Sequence, residues 1–301
     1  MQAPPSAATV EQLLNWAEQQ LSTAAVCYGH GTDNPADEAC YLVFATLGLP
    51  FDAPDTALQQ QAAAAQQALV VQRVRQRIEQ HIPVAYLVQQ AWFAGLPFYV
   101  NEHVLIPRSP IAELIEERFS PWVQAARVSR VLDIGTGCGC IAVACALAFA
   151  DAQVDAVDVS AAALKVAAHN VKQHRLEQRV NLITSDVFSA LTGQRYDIIV
   201  SNPPYVSADE YQALPAEYRH EPAAALLAGA GGMDIIQLIL ERAHEFLHDD
   251  GILIVETGST QDTVQRAYPQ LPFVWLEFAR GGDGVFLLNK SDLDGQQNER
   301  A

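Results

Sequence analysis

At 301 residues the chain exceeds the usual size of one domain, and with 50% hydrophobic residues it can bury a full core, so a two-domain protein is expected. Its longest apolar run, Ile141 to Ala150, is about half of what crosses a bilayer, which excludes a spanning helix of that kind and implies a soluble protein without a membrane partner. Lys and Arg number 18 against 35 Asp and Glu, and the resulting net charge of −17 repels phosphates and attracts basic partners.

The first residues, MQAPPSAATVEQLL, have neither a basic flank nor an apolar stretch, so no secretory signal is expected and a cytoplasmic location follows. Five cysteines, at 27, 40, 138, 140 and 145, are odd in number and lack the paired spacing of a zinc site. Reduced thiols and no bound metal are the expectation.

Residues 1–88 read as a helical domain. TVEQLLNWAEQQL starts with a Thr cap answered three residues later by Gln12, and Leu13, Leu14, Ala17 and Leu21 recur at helical spacing. NPADEACYLVFATLGLP opens on a capping Asn and a first-turn Pro and stops at Gly48 and Pro50. ALQQQAAAAQQALVVQRVRQRIEQ is Ala- and Gln-rich and predicts one long helix, with Arg73, Arg75 and Arg77 at its solvated end. Residues 89–108, with the aromatic stretch AWFAGLPFYV, predict a hairpin connector.

From 109 to 290 strands and helices alternate. RVLDIG, VDAVDV, VNLITSDV, YDIIVSN and GILIVETG are apolar runs separated by helical stretches, which implies a parallel sheet covered on both faces. FVWLEFA and GVFLLNK, joined by a glycine-rich turn at 280–284, predict a final antiparallel hairpin. Residues 291–301 read as a polar, fraying tail.

Ligands of an open parallel sheet bind at the carboxyl ends of its strands. Gly135, Thr136, Gly137, Cys138 and Gly139 follow the first strand, where glycines let backbone amides approach a ligand and a helix N-terminus adds partial positive charge. A dinucleotide fingerprint needs its third glycine at 140, which is Cys140, so a nicotinamide oxidoreductase is disfavoured. Asp158, ending the second strand, can accept both hydroxyls of a ribose. Asp186 after the third strand can take an adenine amino group and Phe188 can pack on its ring, whereas Asp133 holds the loop or a bound cationic amino group.

The fourth strand ends in Asn202, Pro203, Pro204 and Tyr205. The Asn202 side-chain carbonyl and the Pro203 backbone carbonyl can accept both hydrogens of a planar amino group, and prolines stiffen the loop without donating. Tyr205 can lie against the guest's face. An amide or an exocyclic base amine is a poor nucleophile because its lone pair is delocalised, and twin acceptors both draw charge toward that nitrogen and align it. No carboxylate or histidine lies within the tetrad, so no obligate general base is expected.

The motifs DIGTGCG, VDAVDVS, SDVF and SNPPYV, in that order, resemble those of class I methyltransferases that use S-adenosylmethionine and yield S-adenosylhomocysteine. Over nearly its whole length the chain is similar to protein glutamine N(5)-methyltransferases. The resemblance implies an α/β, Rossmann-like seven-stranded sheet with strand order 3-2-1-4-5-7-6 and an antiparallel seventh strand, preceded by a small helical substrate-recognition domain. It further implies that Gly135 to Gly139 line the methionine part of the cofactor, Asp158 holds the ribose, Asp186 and Phe188 meet the adenine, and Asn202 to Tyr205 bind glutamine. The stretch VLIPRSPIAELI, with Ser109-Pro110-Ile111 where release-factor enzymes carry an acid and a threonine, is similar to the branch acting on large-subunit ribosomal protein L-three. EYRHEP and FVWLEFARGGDGVFLLNK look similar to that branch as well. A basic protein acceptor, free or in an assembling subunit, is thereby implied. Gly231 stands where relatives often have an acid, and His220 reads as a structural histidine. Three other readings stay open: the same reaction on a peptide chain release factor, adenine N(6) methylation of nucleic acid, which the net charge of −17 opposes, and an inactive nucleoside- or ribosome-binding module.

Overall fold

The computed structural model describes residues 3–229 and 233–294. Gly231 and the last seven residues of the expected tail lie outside the described residues. No helix among the described residues is long and apolar enough to cross a membrane. The chain forms two compact units, one of residues 1–91, 100–102 and 215–221 and one of the remainder.

The first unit is helical. Helix α1 (Val10–Ser22) starts where Thr9 Oγ1 accepts the Gln12 N–H at 3.3 Å and Gln12 Oε1 accepts the Thr9 N–H at 3.0 Å, a reciprocal cap that satisfies two otherwise orphaned donors. Helix α2 (Pro35–Leu47) is capped by Asn34 and ends on left-handed Gly48. The Ala/Gln-rich stretch departs from the expected single helix: a short α3 (Asp55–Leu58) is followed by a break, and α4 runs only from Ala64 to Gln80. The break exists because residues 60–62 pair with the chain before α1, Val10 N–H donating to the Gln60 carbonyl at 3.0 Å and Ala62 N–H to the Ala8 carbonyl at 3.1 Å. Backbone partners outside the segment thus override a strong helix propensity. Helix α5 (Val84–Val88) completes the unit.

Leu13, Leu21, Leu42, Val70 and Val74 are fully buried, each stabilising the unit by about 1.5–3 kcal/mol. At their centre lies Arg77, which is 1% exposed and not the solvated residue its sequence context predicts. It is held by Glu38 at 2.6 Å, Glu217 at 2.9 Å and the Cys27 carbonyl at 2.7 Å. Only Arg75, in an exposed pair with Glu79, matches the solvated expectation.

In the connector, strands β1 (Ala91–Phe93) and β2 (Leu96–Phe98) pair across Ala94-Gly95, both at positive φ as a two-residue hairpin turn requires. The second unit continues through α6 (Ile111–Glu116), β3 (Arg130–Ile134), α7 (Cys140–Ala148), β4 (Gln153–Asp158), α8 (Ala161–Gln173), β5 (Val180–Thr184) and β6 (Tyr196–Ser201). It closes with α9 (Ala208–Ala213), α10 (Asp234–Phe246), β7 (Leu247–Glu256), α11 (Gln261–Ala267), β8 (Val274–Leu276) and β9 (Val285–Asn289).

The sheet order is β5-β4-β3-β6-β7-β9-β8. Numbered within the sheet this is 3-2-1-4-5-7-6, with the seventh strand antiparallel to both neighbours, the topology that the resemblance implies. Successive residues of the central strands enter cores on opposite faces: Val131, Val154 and Ala156 on one side, Leu132, Ile134 and Val157 on the other. Strand β8 is shorter than FVWLEFA predicts. Glu113 accepts the N–H groups of Ala279 at 2.9 Å and Arg280 at 2.8 Å, which draws that stretch off the ladder.

Candidate active site

The chain runs from β3 outward through β4 to β5, then returns to β6 on the other side of β3, so the order reverses between β3 and β6. Ligand crevices form at such reversals, beyond the carboxyl ends of the strands. Register pairs Ile134 with Ser201, and the Ser201 hydroxyl donates to the Ile134 carbonyl at 2.8 Å. Gly135 and Asn202 therefore leave the sheet side by side. An added Cβ on Gly135 would come within 3.9 Å of the Asn202 carbonyl oxygen.

Gly135, Gly137 and Gly139 all have positive φ, which lets the turn fold tightly, with the Gly135 and Thr136 N–H groups donating to the Val157 carbonyl and that of Gly139 to the Thr136 carbonyl. Gly139 caps α7 and faces Ala167 of α8, where a Cβ would approach to 3.2 Å. It packs helix against helix and does not line the crevice.

Three carboxylates stand around this turn, each held differently. Asp158 Oδ2 accepts the Gly137 N–H at 2.9 Å and its Oδ1 accepts the Ser160 N–H at 2.8 Å. Each oxygen keeps a second lone pair. Asp133 is buried beneath the turn, where its Oδ2 accepts the Thr136 hydroxyl at 2.5 Å and the Ala142 N–H at 3.1 Å. Burial pushes its carboxyl up to about 7 against those two hydrogen bonds, and the nearby Asp158 adds to the rise. Asp186 lines the crevice beyond β5.

Phe188 does not line it. The Ser185 hydroxyl donates to the Val187 carbonyl at 2.9 Å and accepts the Ala190 N–H at 3.1 Å, curling the turn. Phe188 is thereby turned into the core and stacks on Phe246 at 4.4 Å, leaving Val187 at the crevice.

The crevice is a cavity of about 330 Å³. Its walls include Gly135, Thr136, Gly137, Cys138, Asp158, Asp186, Asn202, Pro203 and Pro204, and also Arg108 and Ser109, where the connector meets the catalytic region. Asn202 is half-buried and Pro203 buried. Tyr205 stands beside the cavity, its hydroxyl donating to Glu256 Oε1 at 3.1 Å. His220 is not in the lining; its Nε2 lies 2.8 Å from the Gln80 carbonyl.

Two buried polar residues belong to this frame although the motifs do not contain them. Asn170 of α8 donates to the Cys138 carbonyl at 2.8 Å and the Tyr99 carbonyl at 2.9 Å, and accepts the Tyr99 N–H at 2.7 Å, tying connector and glycine turn together. Its signal was available: it interrupts the apolar stripe of Ala163, Val166, Ala167 and Val171 at helical spacing. Glu256 ends β7 in an apolar environment, and burial pushes its carboxyl up while the Ser109 and Tyr205 hydroxyls and Arg108 pull it down. An acid closing the apolar run GILIVE was its signal.

A family model, the methyltransferase small domain, matches residues 119–266. The ribosomal protein uL3 glutamine methyltransferase of Neisseria meningitidis serogroup B is 46% identical over 298 residues, covering 98% of each chain. That of Bordetella pertussis is 45% identical over 95% of this chain and 96% of its own. Among solved structures, a methyltransferase from Pyrococcus furiosus aligns with a TM-score of 0.47 at 16% identity, over 76% of this chain and 99% of its own.

Proposed function

This chain belongs to the family of ribosomal protein uL3 glutamine methyltransferases, and on that premise we infer that it moves a methyl group from S-adenosylmethionine to the side-chain amide nitrogen of a glutamine in uL3. The observation that carries the reading is the meeting of Asn202, Pro203 and Pro204 with Gly135, Gly137 and Asp158 around one cavity.

The cavity suits that donor. The lone pairs left on Asp158 would accept from a ribose, Gly135 and Gly137 add no side-chain bulk where an aliphatic segment would lie, and Asp186 with Val187, rather than Phe188, is assigned to the adenine. Asp133 is assigned to holding the turn. When bound, the donor supplies an electrophilic methyl group. Asn202 and Pro203 accept the two amide hydrogens, drawing electron density toward nitrogen and aiming its lone pair at that methyl. The new N–C bond would replace the S–C bond of the donor, whose electron pair would stay on sulfur in the product. One amide proton then leaves to water, so no side chain in the tetrad needs to act as a base.

We assign recognition of the basic uL3 chain to the helical unit, whose residues 1–88 hold eight Asp and Glu against three Arg. The net charge of −17 disfavours direct nucleic-acid recognition. The reaction is placed in the cytoplasm, with uL3 free or in an assembling subunit as acceptor.

Incubation with labelled S-adenosylmethionine and, separately, uL3, a release factor, pre-ribosomal particles and bulk nucleic acid tests this reading. Mass spectrometry is expected to place one methyl on a glutamine of uL3. Label on the release factor would reassign the substrate, and label on nucleic acid alone would overturn the amide chemistry.

A further inference from the structure

Glu256 is 6% exposed, and its two oxygens face different parts of the site. Oε2 accepts the Ser109 hydroxyl at 2.5 Å and Oε1 accepts the Tyr205 hydroxyl at 3.1 Å. Ser109 is fixed in turn, because its Oγ accepts the Ile111 N–H at 3.2 Å at the start of α6. The Tyr205 ring is confined from another side by Gly258, where an added Cβ would fall 2.4 Å from ring carbon Cε2. Bonds to a buried carboxylate are among the stronger hydrogen bonds, so Glu256 joins connector and tetrad as a stiff bracket. Pro203 and Pro204 have locked φ angles, which leaves fewer free dihedrals between Tyr205 and their carbonyls to absorb a displacement of Tyr205.

We propose that Ser109 and Glu256 are positioning residues for methyl transfer: through the Glu256 carboxylate, Ser109 holds Tyr205 and thereby aims the Asn202 and Pro203 acceptors. The inference rests on the reading of the tetrad as the amide-binding site. Neither residue needs to touch the glutamine.

Two readouts on the full chain test it. The first is kinetic, with uL3 as acceptor. Ser109→Ala and Tyr205→Phe are each expected to lower kcat by about tenfold, on the scale of a small misplacement of reacting groups, while affinity for S-adenosylmethionine in calorimetry stays at the wild-type value. Because both act through one carboxylate, the double variant is expected to be no slower than the slower single one. Ser109→Thr, which restores the hydroxyl, is expected to recover most of the rate. Multiplicative losses in the double variant, or an unchanged rate in Ser109→Ala, would overturn the proposal.

The second readout needs no turnover. Backbone hydrogen exchange over residues 203–211 is expected to rise several-fold in Ser109→Ala while that over β3 and α7 does not change; equal protection in both proteins would overturn the proposal. If Ser109→Ala fails to bind the cofactor, Glu256→Gln, which keeps the size but offers one acceptor oxygen, takes its place in both arms. A wild-type protein that methylates none of the acceptors would sink the functional reading, and the exchange arm would then decide the bracket alone.

Discussion

Arg77 and Glu217, 140 residues apart in the chain, form a buried ion pair in which Arg77 Nη1 donates to Glu217 Oε1 at 2.9 Å. Glu217 lies twelve residues beyond Tyr205 of the acceptor tetrad, in the segment 215–221 that packs within the helical unit. Its Oε1 also accepts the Cys27 N–H at 2.8 Å, and Arg77 bridges on to Glu38 at 2.6 Å. Removing one partner strands a buried charge, so Arg77→Ala is expected to cost about 3–5 kcal/mol, read as a fall in the urea midpoint. A loss below about 1 kcal/mol, typical of an exposed pair, would refute the central role given to this arginine.

Acid should weaken the same site. Burial pushes the Glu217 carboxyl up, but the Cys27 amide and the Arg77 guanidinium outweigh it and hold the group at about 2. Unfolded, it titrates near 4.5, so its contribution is complete above that pH and is lost as pH falls toward 2. Glu217→Gln is expected to be less stable than wild type at pH 7, with the gap narrowing between pH 4.5 and 2. A gap that stays constant over that range would remove the linkage.

Asn202→Ala deletes one of two acceptors aimed at the amide. Methyl transfer is expected to slow by about 10²-fold, the scale of one preorganised polar contact, while calorimetric affinity for S-adenosylmethionine is retained. Turnover at the wild-type rate would exclude Asn202 from the chemistry.

Asp158→Ala acts on the other half of the site. It removes both the candidate ribose acceptor and the anchor of the Gly137 and Ser160 amides. Cofactor affinity is expected to fall at least about tenfold, equivalent to roughly 1.4 kcal/mol, and unchanged binding in calorimetry would contradict the assignment.

Asp133 predicts the opposite pH behaviour to Glu217. Burial raises its folded value to about 7 from 3.8, so between those pH values the folded protein holds a proton that the unfolded chain has lost. Its contribution therefore declines as pH rises through that window and levels off above about 7. Asp133→Asn, which keeps the acceptor oxygen but cannot ionise, is expected to gain stability relative to wild type as pH rises from 3.8 to about 7. Parallel denaturation curves for the two proteins over that range would show that Asp133 does not titrate there.

Where local pattern and tertiary demand agreed, the sequence was sufficient. The Thr9–Gln12 cap, the Asn34 and Gly48 boundaries of α2, the alternating strands and the glycine turn all follow from interactions within a few residues of each other, and the structure contains each of them. Where distant backbone competed, it misled. The Ala/Gln-rich helix breaks at 59–63 because residues 8–10 supply other hydrogen-bond partners, and β8 stops early because Glu113 captures the amides of Ala279 and Arg280 just beyond it.

By itself the sequence determined the alternation of strands and helices, the glycine turn and the tetrad, since these depend on residue type and spacing along the chain, while the strand order came from the family resemblance. Only the tertiary structure decided that Arg77 is buried, that Phe188 belongs to the core with Val187 at the crevice, and that Glu256 joins Tyr205 to Ser109, 147 positions before Glu256 in the chain. Periodicity reports which face of an element is apolar, but the partner of a buried charge or the direction of a ring at a turn is set by side chains that meet only when the sheet closes.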